Sequence, residues 1–381
     1  MDIQPDDRVI LGGMAGPTTD SALVAVRLED DGNLDPSFAE AGVATVDLGT
    51  SNDETKVVRM LADGRILLAA ERRDPSGGTV AAGLARLLPS GLLDASFGTG
   101  GIELIDEGAD RDIINGAVVL ADGSVRVSGQ HRQPTSIFDL QVRGLLSDGA
   151  PDPSFGAGGV MSIDWFGSEE FGGCIIAGPE GTLLVPGDAY RTGPSFDFAL
   201  ARVLADGSLD PTFADSHNLP GRIATDFYGD SDFCNAVAPQ AGGKSVCGGY
   251  ATGPDGRHFA LAHYLASGAL DPMFADQGKL VIAMGTDDEI RSLVSLADGR
   301  LVCGGGAVNA QGDRDFAVAL LTRDGVLDES FGVGGKALID LSAGHDDAIH
   351  AMAVDSAGRL VAFGETSNGS DNDFAVIRLL L

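Results

Sequence analysis

Six times the chain writes a variant of one five-residue word: LDPSF at residues 34–38, LDASF at 93–97, PDPSF at 151–155, LDPTF at 209–213, LDPMF at 270–274 and LDESF at 327–331. The aspartates of these words, Asp35, Asp94, Asp152, Asp210, Asp271 and Asp328, are 57 to 61 residues apart. A fixed period of that length means that each repeat is one supersecondary unit, which buries its apolar faces by stacking on its neighbours. The repeat therefore predicts one body, a single domain over residues 1–381, where length alone would allow two or three domains.

Each period divides into four short apolar runs. In the second they are KVVRML from Lys56, RILLAA from Arg65, AGLARL from Ala82 and GIELID from Gly101, with Asp63-Gly64 between the first two. Runs of five to seven aliphatic and β-branched residues bounded by Asp-Gly and glycine clusters are strand signals, and Asp-Gly is a strong hairpin cue. The second run recurs seven times, as VILGG, ILLAA, VRVSG, LLVPG, SVCGG, LVCGG and LVAFG, and the third also seven times. The fourth occurs six times, because the chain stops after the last third run. Four-stranded units of this length with no helical pattern predict an all-β fold, a seven-bladed β-propeller, whose radial order leaves only short protected edges. The first and last blades are expected to be incomplete, since only a few residues precede Asp6-Asp7-Arg8, the counterpart of Asp63-Gly64-Arg65. A solenoid is the rival, but 58 residues is long for one coil and leaves two open ends.

The composite DGRxxxxG, then DFALARL, then DGxLDxSFGxxGxxxxD resembles the bacterial delta-60 repeat family over nearly the whole chain. The resemblance implies a propeller-like repeat of exported or surface proteins, hence a secreted, periplasmic or cell-surface location, and it offers no catalytic residues. The opening residues carry no basic n-region or apolar h-region. As it stands the sequence reads as a chain that is not exported or as one whose leader has been removed.

With 56 acidic against 25 basic residues the net charge is -31, which repels phosphate backbones and excludes nucleic acid as a natural partner. No apolar stretch reaches the length of a membrane-spanning helix. The four cysteines, Cys174, Cys234, Cys247 and Cys303, form no CxxC and read as free thiols. GGKS at residues 242–245 lacks the earlier glycine of a phosphate loop and sits where a hairpin turn is expected.

A word needed six times is expected to staple the structure. Its aspartate would accept backbone N–H groups in a turn and its phenylalanine would plug the gap between blades. Arg27, Arg86, Arg202 and Arg378 align in the third runs and are expected to pair with repeat aspartates. Gly144, His263 and Leu320 replace them elsewhere, where that pairing should be rearranged.

Function is expected at the opposite end of the blades, where the variable loops gather, such as residues 72–78 and 130–138. Eleven residues before each turn glycine stand Asp53, Asp112, Glu170, Asp232, Asp288 and Asp347, all acidic, at the start of each inner strand and so at the mouth of a central channel. Three residues later come Lys56, Asn115, Gly173, Asn235, Arg291 and His350, which differ from blade to blade. The acids either cap backbone N–H groups or bind a metal, for which all-oxygen ligands favour Ca2+. The fourth runs add Asp47, Asp106, Asp164, Asp226 and Asp340, and Asp139, Asp197 and Asp315 begin the third runs of blades three, four and six, where facing carboxylates could share a metal or a proton. Two functions are carried forward. One is a non-enzymatic or structural propeller that binds a protein or glycan; the alternative is a metal-dependent hydrolase or lactonase using the entry acids with Asn115, Asn235 or His350.

Overall fold

The computed structural model describes residues 1–16, 21–49, 52–73, 80–105, 112–132, 138–190, 195–214, 219–342 and 344–381, with the side chains of Val80 and Asp112 left out. Apart from two three-residue 3-10 turns, the regular elements are strands in seven sheets, and the fold class is the seven-bladed β-propeller predicted from the repeat. No helix among the described residues is long and apolar enough to cross a membrane. The chain divides into two compact units, residues 1–177 with 205–208, and residues 178–204 with 209–381.

The first unit holds three four-stranded sheets. The first has a very short inner strand, Asp2–Ile3, followed by Val9–Ala15, Ala22–Leu28 and Val43–Val46. The second is Asn52–Met60, Ile66–Arg73, Val80–Leu87 and Ile102–Ile105. The third is Asp112–Val119, Val125–Arg132, Phe138–Leu145 and Val160–Ile163. The next inner run is not the unbroken strand expected of each period. It forms two fragments, Glu170–Gly172 and Ile176–Ala177, because Gly172-Gly173 interrupts a ladder that needs side chains to pack.

The second unit begins with Leu183–Tyr190, Phe196–Val203 and Arg222–Thr225. Two four-stranded sheets follow: Asp232–Pro239, Ser245–Gly253, Gly256–Tyr264 and Lys279–Ile282, then Asp288–Ser295, Leu301–Val308, Arg314–Leu321 and Lys336–Ile339. The last sheet has three strands, Asp347–Val354, Leu360–Ser367 and Asn372–Leu379, in keeping with the missing fourth run.

The second runs lack the apolar-polar alternation of a half-exposed strand because both of their faces are covered. Ile66, Leu68 and Ala70 pack with Ile10, Leu23 and Phe38 of the first sheet, whereas Leu67 and Ala69 pack with Ile114, Val125 and Val127 of the third. In the second unit Leu301 and Cys303 face Val246 and Phe259, while Val302 faces Ile349 and Leu360. The period of two therefore distributes residues between two neighbours. Cys234, Cys247 and Cys303 are buried and Cys174 is half-buried, none of the four in a disulfide.

Candidate functional site

At the end of the blades that carries the repeated word, Arg27 Nε donates to Asp35 Oδ2 at 2.7 Å, its guanidinium lies 4.7 Å over the Phe38 ring, and Nη1 donates to the Pro89 carbonyl of the next sheet at 2.8 Å. Arg86 repeats this with Asp94, Phe97 and the Ser147 carbonyl, and Arg202 with Asp210, Phe213 and the Ala266 carbonyl. The other carboxylate oxygen accepts the backbone N–H and hydroxyl of Ser37, Ser96 or Thr212. Burial works to raise the Asp94 carboxyl, but the bonds from Ser96, Arg65 and Arg86 outweigh it and hold the group well below its usual range. The residue after the phenylalanine adds a backbone bond to the next sheet, as Ala39 N–H does to Ser90 at 2.7 Å.

Where the arginine is missing, the pair is rebuilt as expected. At Gly144 a side chain would meet Phe155 at 2.7 Å, and Arg126 of the adjacent strand instead donates to Asp152 at 2.8 Å and lies 4.8 Å over Phe155. Lys244 and His263 share Asp271 at 2.7 and 3.3 Å, with the His263 ring stacked on Phe274. Among the described residues neither side chain bonds to the next sheet as Arg27 does, and a groove of about 430 Å³ lies there, lined by Lys244, His263, Met273, Phe274 and Arg323. Lys244 thus serves the staple, and GGKS is the hairpin turn expected of it. Arg300 reaches Asp328 at 3.4 Å beside Leu320. Arg378 has no repeated word after it and stands 3.8 Å from Asp355.

At the other end the entry acids are fully buried. Asp53, Glu170, Asp232, Asp288 and Asp347 each show 0 % exposure. Each turns back on the chain just before it. Asp53 accepts the N–H of Leu48, Glu170 that of Trp165, Asp232 that of Phe227, Asp288 those of Met284 and Gly285, and Asp347 those of Leu341 and Ser342. The Asp112 side chain and Asp106 lie outside the described residues. Burial, with Asp164 and Asp139 adding to it against the Trp165 N–H, pushes the Glu170 carboxyl up to about 8. Burial likewise raises Asp232 to about 7, with Asp226 and Asp197 nearby. His258 lies 3.0 Å from Asp288 and Arg72 4.0 Å from Asp53, so a base stands by the acid in two repeats.

Three residues on, the ladder slips. Pairing jumps from Thr55 to Val57, Ile114 to Gly116, Cys234 to Ala236, Ile290 to Ser292 and Ile349 to Ala351, so Lys56, Asn115, Asn235, Arg291 and His350 are the extra residues of five β-bulges. Gly173, their counterpart, falls in the break between the two strand fragments. The bulge explains the paired glycines of the second runs. A side chain at Gly249 or Gly305 would lie under 2 Å from the carbonyl of Phe233 or Glu289, which the bulge pushes onto it. Sequence reasoning found these positions by their variation and missed the bulge, for which that glycine was the signal.

The bulge side chains differ in use. Asn115 donates to the Gly172 carbonyl and Asn235 to the Ile290 carbonyl at 2.9 Å, each tying its strand to the next inner one. Lys56 stands 2.6 Å from Glu54 and 3.9 Å from Glu71. Arg291 donates to Glu289 at 2.7 Å and to His350 Nδ1 at 3.2 Å, which requires a lone pair there and leaves Nε2–H to face Glu365 at 3.3 Å. His350 holds the Glu365 carboxyl down at about 2. Arg314 and Arg257 extend this network through Asp287. The variable end of the second unit thus carries a half-exposed patch of alternating charge. Parts of the loops at 72–78 and 130–138 lie outside the described residues.

Four stretches, residues 4–38, 61–97, 179–213 and 296–331, match the family described as a domain of unknown function (DUF5122) beta-propeller. No curated protein matches the chain. Among solved structures, the polysaccharide lyase Uly1 aligns at 11 % identity with a TM-score of 0.50 over 100 % of this chain and 89 % of that one. Sqt1 of Chaetomium thermophilum, bound to the N-terminus of ribosomal protein L10, aligns at 15 % identity and a TM-score of 0.49, covering 95 % of this chain and 81 % of that one. A putative oxidoreductase (glucose dehydrogenase) of Thermus thermophilus aligns at 16 % and 0.44, covering 87 % and 100 %. These likenesses are of fold alone.

Proposed function

We propose that the protein is a non-enzymatic, binding or structural β-propeller of the delta-60 repeat kind. Its bulge residues and variable loops would meet a protein or glycan partner outside the cytoplasm. One observation carries this reading: at a bulge that recurs five times on the same scaffold, the side chain is Lys56, Asn115, Asn235, Arg291 or His350, so the backbone is held constant while the chemistry changes. Bulges re-aim side chains, and variable residues on a rigid sheet are where recognition is commonly built. Against the metal-dependent hydrolase or lactonase stands the use of Asp53, Asp232 and Asp288 as backbone acceptors.

A glycan array probed with the labelled protein, and with the double variant Arg291→Ala/His350→Ala, tests the glycan arm. Signals on defined glycans that the variant loses support it. An unchanged pattern in the variant, or esterase or lactonase turnover by the wild type, counts against the reading. The same reading takes residues 1–381 as one domain, for which calorimetry should record a single cooperative transition, and two separable transitions would oppose it.

A further inference from the structure

Asp315, Asp340 and Asp347 each bring one carboxylate oxygen within 4.8 Å of the others, the one such set of acidic, histidine or cysteine ligands among the described residues. They come from three elements. Asp315 lies in the third strand of the sixth sheet, Asp340 follows its fourth strand, and Asp347 opens the next inner strand. The same positions hold Asp139, Asp164 and Glu170 in the third repeat and Asp197, Asp226 and Asp232 in the fourth, and these influence one another without closing to that distance.

A cluster of acids alone is only a source of repulsion, but here one oxygen is left open. Asp315 is 5 % exposed; its Oδ2 accepts the Asn309 amide at 3.0 Å, while its buried Oδ1 has no hydrogen-bond partner. An unpaired carboxylate oxygen at such a depth is costly unless a donor or a positive charge meets it. Asp347 is oriented by the N–H groups of Leu341 at 2.7 Å and Ser342 at 3.3 Å and by the Ser342 hydroxyl at 2.9 Å. Asp340 is exposed and leaves the cluster open to water on one side.

We propose that Asp315, Asp340 and Asp347 form a Ca2+ site. Oxygen ligands from three carboxylates, with no sulfur or imidazole in the set, suit a hard cation. One open side suits an ion that takes six to eight oxygens in flexible geometry and completes its shell with water. The site stands independently of the partner-binding reading, since an ion here would tie the sixth sheet to the strand that follows.

The test is a calorimetric titration of EDTA-treated protein with Ca2+ alone, paired with melting curves. The wild type should bind one ion, and its melting temperature should rise by about 3–5 °C at roughly a hundredfold excess over Kd. Asp340→Asn, at an exposed position, should keep the fold and weaken binding by about tenfold or more. Asp315→Asn should melt no lower than the wild type in EDTA and should not respond to Ca2+. Absence of heat and of a thermal shift in the wild type overturns the proposal, as does an undiminished response in both variants. A response lost on Asp226→Asn and kept in Asp340→Asn also overturns it.

Discussion

The two ends of each blade solve opposite problems with the same repeat. At the end of the repeated word the interaction is conserved even when residues change: Asp152 keeps an arginine over its phenylalanine although Gly144 has replaced the usual one, because Arg126 arrives from the neighbouring strand. At the entry end the backbone is conserved and the interaction changes, since one bulge presents an amide to a carbonyl in Asn235 and a guanidinium to an imidazole in Arg291. Positions that hold blades together are thus recognised by a contact that survives substitution. Positions where that duty comes and goes from repeat to repeat are recognised by a geometry that survives substitution.

The largest effect expected from breaking the staple end is that of Phe97→Ala. The ring is fully buried between two sheets, and its loss should cost about 3–5 kcal/mol by urea unfolding. Arg126→Ala should cost about 3 kcal/mol, since it leaves Asp152 buried with its charge unpaired. A cost under about 1 kcal/mol would mean that the rebuilt pair is not equivalent to that of Arg86.

Next comes a pH effect at the entry end, measured in EDTA. Glu170 in the folded chain retains a proton that the unfolded chain releases above its ordinary 4.5, so its contribution to stability falls as pH rises and levels off above about 8. Glu170→Gln should remove that decline, an effect of order 1 kcal/mol after screening by solvent, while Oε1 continues to accept from Trp165. A decline of equal size in the variant would place its origin elsewhere. The smallest effect is a gain. His263→Arg should fill the groove beside Asp271 and restore the link to the next sheet, stabilising the protein by about 1 kcal/mol. A loss would show that Lys244 has already taken the place of the missing arginine.

The fold was legible because the period of about 58 residues sets the count and Asp-Gly sets the hairpins, both of which are local. The entry acids were placed correctly at strand starts, since a fixed offset from the turn glycine is preserved by a regular ladder. The bulges were not foreseen, because a one-residue slip changes the pairing without changing the spacing of acid and turn. Nor was the use of Asn115 and Asn235 as ties between inner strands, which depends on a carbonyl 55 to 57 residues away. The break at Gly172-Gly173 was written in the sequence, but glycine pairs also mark the intact second strands and so did not stand out.

The division of labour is tested most directly by a substitution scan of residues 52–105, with resistance to proteolysis as the measure of folding. Sensitivity should peak at Asp53, Arg86, Asp94 and Phe97 and be flat at Glu54, Lys56 and Arg73, whose ion pairs are partly exposed. Substitutions at Lys56 as damaging as those at Asp94 would contradict the claim that the bulge side chain of this repeat, unlike Asn115 and Asn235, is free of structural duty.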